Sequence, residues 1–153
     1  MSNYKTHSTF NTLFAFPLFL FGLYYFFSPS TKNLIIFSSC FLYATFFMSP
    51  DMDLANKIKI FSIRGFLSLP FRFYAWIFSH RGLSHSLLLG SLTRILWLVG
   101  LGLLILFLMD MPMSKKQLLA FYQHNKPYIL YGFAGIFTAD VSHLFLDAFH
   151  TKK

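Results

Sequence analysis

An all-α integral membrane protein, built from about four transmembrane helices with an interfacial or re-entrant aromatic segment between the second and third, is the fold class the sequence predicts. Three observations lead there. Of 153 residues, 56% are hydrophobic and only 12% charged, with a mean hydropathy of +0.56, beyond the apolar share of ordinary soluble domains. The apolar residues gather into runs near the ~20 residues a helix needs to cross the hydrocarbon core. Aromatic residues reach 21%, 22 of them Phe, which lipid-facing and interfacial surfaces absorb. The length suits a single integral membrane domain over 1–153, and the one cysteine, Cys40, allows no disulfide framework within one chain.

Four runs read as spans: 10–27, 34–48, 87–109 and 128–149. The first is expected to stay as a helix rather than be cleaved. Lys5 is the one basic residue before it, and Phe26-Phe27-Ser28-Pro29-Ser30 lacks a small-x-small cleavage signature. The second is short, and Pro50 marks its end. Arg94 lies near the start of the third, close enough to the boundary for its side chain to snorkel to the headgroups. Between the second and third runs, 61–78 is rich in aromatics but broken by Arg64, Gly65, Pro70 and Arg72, so it fits an interfacial or re-entrant segment. His124 and Lys126 read as part of a polar loop before the fourth run.

Basic residues set the orientation. Lys5, Lys57, Lys59, Arg64, Arg72, Arg81, Lys152 and Lys153 fall on one side of a four-span topology, against Lys32, Lys115, Lys116 and Lys126 on the other. The positive-inside rule then makes both termini and the 49–86 connection cytoplasmic.

The five acidic residues are all Asp, and four of them fall in two patches, Asp51-Met52-Asp53 and Asp140 to Asp147. The histidine patch His80-Arg81-Gly82-Leu83-Ser84-His85-Ser86 lies between them. An alternating topology brings both patches, the histidine patch and His7 to one membrane face, although none of these residues was used to assign the topology. Asp oxygens and His nitrogens gathered there suit a divalent metal, zinc first, as one or two ions, with manganese or magnesium also compatible. The candidate ligands are His7, Asp51, Asp53, His85, His143 and Asp147.

At 100° per residue, Asp140, His143, Asp147 and His150 share one stripe of the fourth helix, and His143 and Asp147 form an i, i+4 pair that can close on a cation. Each assignment has a plainer alternative. Asp140 or Asp147 can clamp an Arg, either Arg94 or Arg81, between helices. Asp51 or Asp53 can cap a turn, and Arg81 can anchor at the headgroups rather than bind a phosphate.

Thr6-His7, Ser49-Pro50-Asp51-Met52-Asp53, His80-Arg81-Gly82-Leu83-Ser84-His85-Ser86 and His143-x-x-x-Asp147 together resemble a bacterial family of metal-binding membrane proteins of unknown function, related to the YdjM-like membrane-bound metal-dependent hydrolases. The resemblance covers His7 to Asp147. It implies metal binding and, further, hydrolysis. The His-x-x-x-Asp helix is also distantly similar to zinc-dependent phospholipase C and P1-type nucleases, which implies phosphoester chemistry. On that basis His80, Asp140 and Arg81 are the catalytic candidates: His80 or Asp140 as general base or orienting group, Arg81 steadying a leaving phosphate.

Two other functions compete with a metallohydrolase acting on a phosphoester or lipid-type substrate. One is a non-catalytic metal-binding or sensing protein, the other an ion or proton translocation component. No internal repeat of the transporter kind is present. The net charge of +8 comes from bases scattered at span ends, which excludes a nucleic-acid site and points to membrane lipid with anionic headgroups as the partner. Oligomeric state has no signature in the sequence.

Overall fold

Apolar runs of this length, interrupted by Pro and Ser and lacking a period-2 pattern, close their backbone hydrogen bonds internally as helices. The computed structural model describes residues 4–48, 62–77 and 87–150. Among them, regular structure is helical throughout: α1 (Tyr4–Phe10), a π turn (Asn11–Ala15), α2 (Phe16–Phe27), α3 (Thr31–Phe47), α4 (Ile63–Leu67), α5 (Leu69–Ile77), α6 (Leu87–Leu108) and α7 (Lys115–His150).

α1, the π turn and α2 run on without a break, since Phe10 and Phe16 at the junctions both keep right-handed helical backbone. Pro17 supplies a reason for the wide turn. It has no N–H to give the turn before it, and the backbone widens directly upstream. The extra residue moves the inward stripe from His7, Asn11 and Ala15 to Phe16, Phe19 and Leu23. α2 ends at Ser28, which takes left-handed backbone with its N–H on the Tyr24 carbonyl at 3.0 Å. Pro29 follows, and the Ser30 hydroxyl then caps α3 by accepting from the Asn33 N–H.

α3 and α7 make the most extensive helix pair and run parallel. Gly132 meets Ile36 and Cys40, and Gly135 meets Phe37 and Phe41. A Cβ at Gly135 would stand 2.5 Å from the Phe37 carbonyl oxygen and 3.0 Å from the Phe41 nitrogen, so glycine is what lets the two backbones approach. The core lies along this seam, where Phe37, Phe41 and Ala44 of α3 meet Ile136 and Ala139 of α7, with Ala15 beside them.

α4 and α5 are short, as the breaks in 61–78 predict. Phe71 and Tyr74 turn inward while Phe66 and Phe73 stay exposed. The Tyr43 hydroxyl donates to the Leu67 carbonyl at 3.2 Å and Trp97 Nε1 to the Pro70 carbonyl at 2.7 Å, fastening this pair to α3 and α6.

The fourth apolar helix begins earlier than its hydropathy suggests. Ser114 and Gln117 form a reciprocal capping box, with Ser114 N–H on Gln117 Oε1 at 2.8 Å and Gln117 N–H on Ser114 Oγ at 3.3 Å, so α7 starts at Lys115 and runs through Pro127. His124 and Lys126, expected in a loop, are helical. At ~1.5 Å per residue α7 is about 54 Å long. Three helical stretches are long and apolar enough to cross a membrane, Lys5–Phe27, Gly90–Leu108 and Lys115–Phe149, while Thr31–Phe47 is apolar but shorter.

Gly135→Ala is expected to lower stability by about 1–3 kcal/mol through overpacking of the α3–α7 seam. Gly22, with nothing within 4 Å of its would-be Cβ, is the control. Thermal unfolding in detergent reads both, with a fall in Tm for Gly135→Ala and none for Gly22→Ala.

Candidate metal centre

Helix geometry alone places His143 and Asp147 on one face of α7, since i and i+4 side chains stack one above the other. α1 brings His7 to the same face. Along the first helix the inward positions are His7 of α1 and Asn11 of the π turn, one turn apart. Asn11 fixes the approach, because its Nδ2 donates to the Thr45 hydroxyl of α3 at 3.3 Å and to the Ala139 carbonyl of α7 at 3.1 Å. Ala139 is one turn before His143, so α1 is fastened where its next inward residue, His7, meets the α7 pair.

The three side chains then converge. Asp147 turns one oxygen toward each imidazole: Oδ1 lies 3.1 Å from His7 Nε2, and Oδ2 lies 3.6 Å from His143 Nε2. The imidazoles stack with centroids 3.8 Å apart and planes 16° from parallel. Both histidines are 2–3% exposed, whereas the Asp147 side chain is 27% exposed and opens the cluster to the outside.

This donor set fits a divalent cation. A tetrahedral ion with ligands at ~2.0–2.1 Å separates them by about 3.4 Å, and the two measured His–Asp distances lie either side of that value. One ligand atom from each residue falls within 4.8 Å of the others, so modest rotation of the side chains closes the set. Two nitrogens and one carboxylate oxygen suit zinc and other borderline metals better than calcium, which takes six to eight oxygens.

Asp140 and Arg94 form a separate constellation one turn deeper. Arg94 NH1 and NH2 meet the two Asp140 oxygens at 3.1 and 2.9 Å, a bidentate pair, and both side chains are 2% exposed. Arg94 Nε donates to the Gly90 carbonyl at 2.8 Å, NH1 also donates to the Met48 carbonyl, and the Ser91 hydroxyl donates to Asp140 Oδ2. The expectation that Arg94 snorkels to the headgroups is therefore corrected. A buried carboxylate neutralises it inside the bundle, and full engagement there outweighs reaching for water. Asp140 takes the clamp alternative, with both oxygens engaged by Arg94 and Ser91.

Of the residues selected from the sequence, His7, His143 and Asp147 meet, and Asp140 lies beside them in the Arg94 clamp. Asp51, Asp53, His80, Arg81 and His85 lie outside the described residues. Asn11 and Ser91 carry no motif. The one signal for Asn11 is its i+4 spacing from His7, and for Ser91 its place one turn from Arg94.

Over residues 3–153 the chain matches the family described as uncharacterized metal-binding protein (DUF2227), and it belongs to that family. A protein of Aquifex aeolicus (strain VF5), named as an uncharacterized protein, is 39% identical over 67 residues. The match takes in 42% of this chain and 45% of that protein, so the chain spans less than half of this relative's length. No solved structure matches the chain. Metal binding thus describes the family, and among the described residues His7, His143 and Asp147 form the group able to hold an ion.

Removing one partner of the Arg94–Asp140 pair strands a buried charge. Asp140→Ala and Arg94→Ala are each expected to destabilise by ~3–5 kcal/mol, and Arg94→Ala with Asp140→Ala together to cost clearly less than the sum of the two. A double-mutant cycle on unfolding in detergent reads the difference; additive losses would contradict the pairing.

Proposed function

We propose that the chain is an integral membrane protein of the bacterial inner membrane that holds a divalent ion, zinc first, at His7, His143 and Asp147, and uses it to hydrolyse a phosphoester of a lipid-type substrate. The observation that carries this reading is the convergence of His7 with His143 and Asp147. They come from opposite ends of the chain, two of the three are buried, and the spacing fits one cation.

Asp51, Asp53 and His85 would complete the ligand set, the first two following Met48 in sequence by three and five residues, the last preceding α6. A divalent ion so held supplies Lewis acidity toward a phosphoryl oxygen and makes water more acidic. The chain's own residues do the rest. His7 and His143 present nitrogen donors from a buried wall, while Asp147, partly exposed, sets the side from which a substrate approaches. In this reading His80 would be the general base that takes the proton of the attacking water, and Arg81 would steady the phosphoryl oxygens by bidentate hydrogen bonding as the alcohol leaves. Asp140 acts as a positioning residue, fixing the turn of α7 that precedes His143 through its pair with Arg94.

Membrane integration is supported by the surface. Phe14, Leu18, Phe21 and Tyr25 along one side of the first helix are all more than 60% exposed, an arrangement that water disfavours and lipid accepts. The bias of basic residues places the metal centre on the cytoplasmic side. The resemblance to YdjM-like membrane-bound hydrolases motivates the activity. A non-catalytic metal-binding or sensing role is the second reading, favoured by the burial of both histidines.

Detergent-purified protein is expected to carry near-stoichiometric metal by elemental analysis. Loss even of a group that merely orients a ligand weakens binding ~10–100-fold, so His7→Ala, His143→Ala and Asp147→Ala should each lower metal affinity at least about tenfold, read by competition with a chelator, and lower the metal retained on purification. Equal trace metal in all of them would remove the metal reading. Chelator-sensitive turnover of phospholipids or phosphodiesters is expected of the loaded protein, and bound metal without turnover would favour the second reading.

A further inference from the structure

The cleft between the first helix and α7 begins at residues that adjoin the candidate metal centre in sequence, Thr6 beside His7 and Leu146 beside Asp147. Near its mouth a cavity of about 440 Å³ is lined by Lys5, Thr6, Thr9 and Leu146 together with Phe10 and Phe14, which also line a second cavity of about 400 Å³. The second is walled by Ala15, Leu18 and Phe19 on one side and Val141, Ser142 and Phe145 on the other. Both volumes fall in the ~300–1,000 Å³ range of small-molecule sites.

Because the first helix and α7 are antiparallel and the two cavities share Phe10 and Phe14, they form one groove. Its deep part is apolar. The single hydroxyl there, Ser142, is turned back onto the Thr138 carbonyl at 2.8 Å. Its mouth is basic and polar, and the lining residues Thr6 and Leu146 are chain neighbours of His7 and Asp147.

Length and charge identify an occupant. From Lys5 to Phe19 the helix rises about 20 Å at ~1.5 Å per residue, slightly more than one ~15 Å hydrocarbon leaflet. One acyl chain fits along that length with its headgroup at Lys5. A cation at the mouth complements a phosphate, and Leu13, Phe14 and Leu18 are exposed along the outer side of the first helix, where lipid would enter. We infer that this groove binds one acyl chain of an anionic glycerophospholipid and holds its phosphate at Lys5, beside the turn that carries His7. The inference rests on the proposed hydrolase reading for its purpose, since it assigns the substrate class, but not for its test.

The test uses the full chain in nanodiscs of phosphatidylcholine containing phosphatidylglycerol spin-labelled near the end of one acyl chain. Wild type is expected to show a motion-restricted lipid component that prefers phosphatidylglycerol. Leu18→Trp, at a 69% exposed position that lines the groove, should remove most of that component with Tm unchanged. Leu104→Trp, on the exposed surface of α6, should leave it intact. Lys5→Gln should lower the preference for phosphatidylglycerol about fivefold, the effect of one basic side chain near an anionic headgroup. A restricted component that survives Leu18→Trp, or a preference indifferent to Lys5→Gln, would overturn the proposal and show ordinary annular lipid. Metal content measured on the same samples separates the two failures. Specific lipid capture without metal removes the hydrolase reading alone, and metal without specific capture removes the groove alone.

Discussion

A guanidinium and a carboxylate facing each other in the apolar interior organise this molecule. Arg94 and Asp140 are each 2% exposed, and neither is tolerable there alone, because a charge cut off from water must find a partner and further hydrogen bonds. The requirement draws three helices to one point: Arg94 and Ser91 come from α6, Asp140 from α7, and the Met48 carbonyl from the end of α3. That carbonyl is one the last turn of α3 leaves without an intrahelical donor, so the pair also satisfies a helix end. The first helix joins the same region through Asn11, whose amide reaches α3 and α7 together.

The metal centre inherits its geometry from this scaffold. His143 is three residues from Asp140 on a helix already fixed in rotation, and His7 is one turn from Asn11. Close approach of α3 and α7 at Gly135 keeps the seam narrow enough for Asn11 to bridge it. Burial of the two histidines beside a partly exposed Asp147 gives a cluster that is packed on one side and accessible on the other.

Much of this was legible in the sequence because apolar run length and helical phase are local properties. His143 and Asp147 share a face by their spacing alone, and His7 joins them through alternation of helix direction. What was not legible depended on partners distant in the chain. Arg94 looked like a boundary residue, since position within a span says nothing of a carboxylate 46 residues later. For Asp140 the spacing gives no sign of the clamp, whose partners Arg94 and Ser91 lie 46 and 49 residues away. The start of α7 is hidden by the polar residues at either end of 115–126, Lys115-Lys116-Gln117 and Gln123-His124-Asn125-Lys126, although Ser114-Lys115-Lys116-Gln117 carries a capping box that propensity and hydropathy do not register. The wide turn at Asn11–Ala15 likewise becomes intelligible only beside Pro17.

The central claim is that two imidazoles and a carboxylate, brought together from the two ends of the chain, hold a metal ion. X-ray absorption at the metal edge of the purified protein tests it most directly. Nitrogen and oxygen scatterers at ~2.0–2.2 Å with the outer-shell pattern of two or more imidazoles are predicted, with no sulfur, because Cys40 packs against Gly132 in the α3–α7 seam. A sulfur scatterer at ~2.3 Å, or a shell without imidazole, would contradict the account.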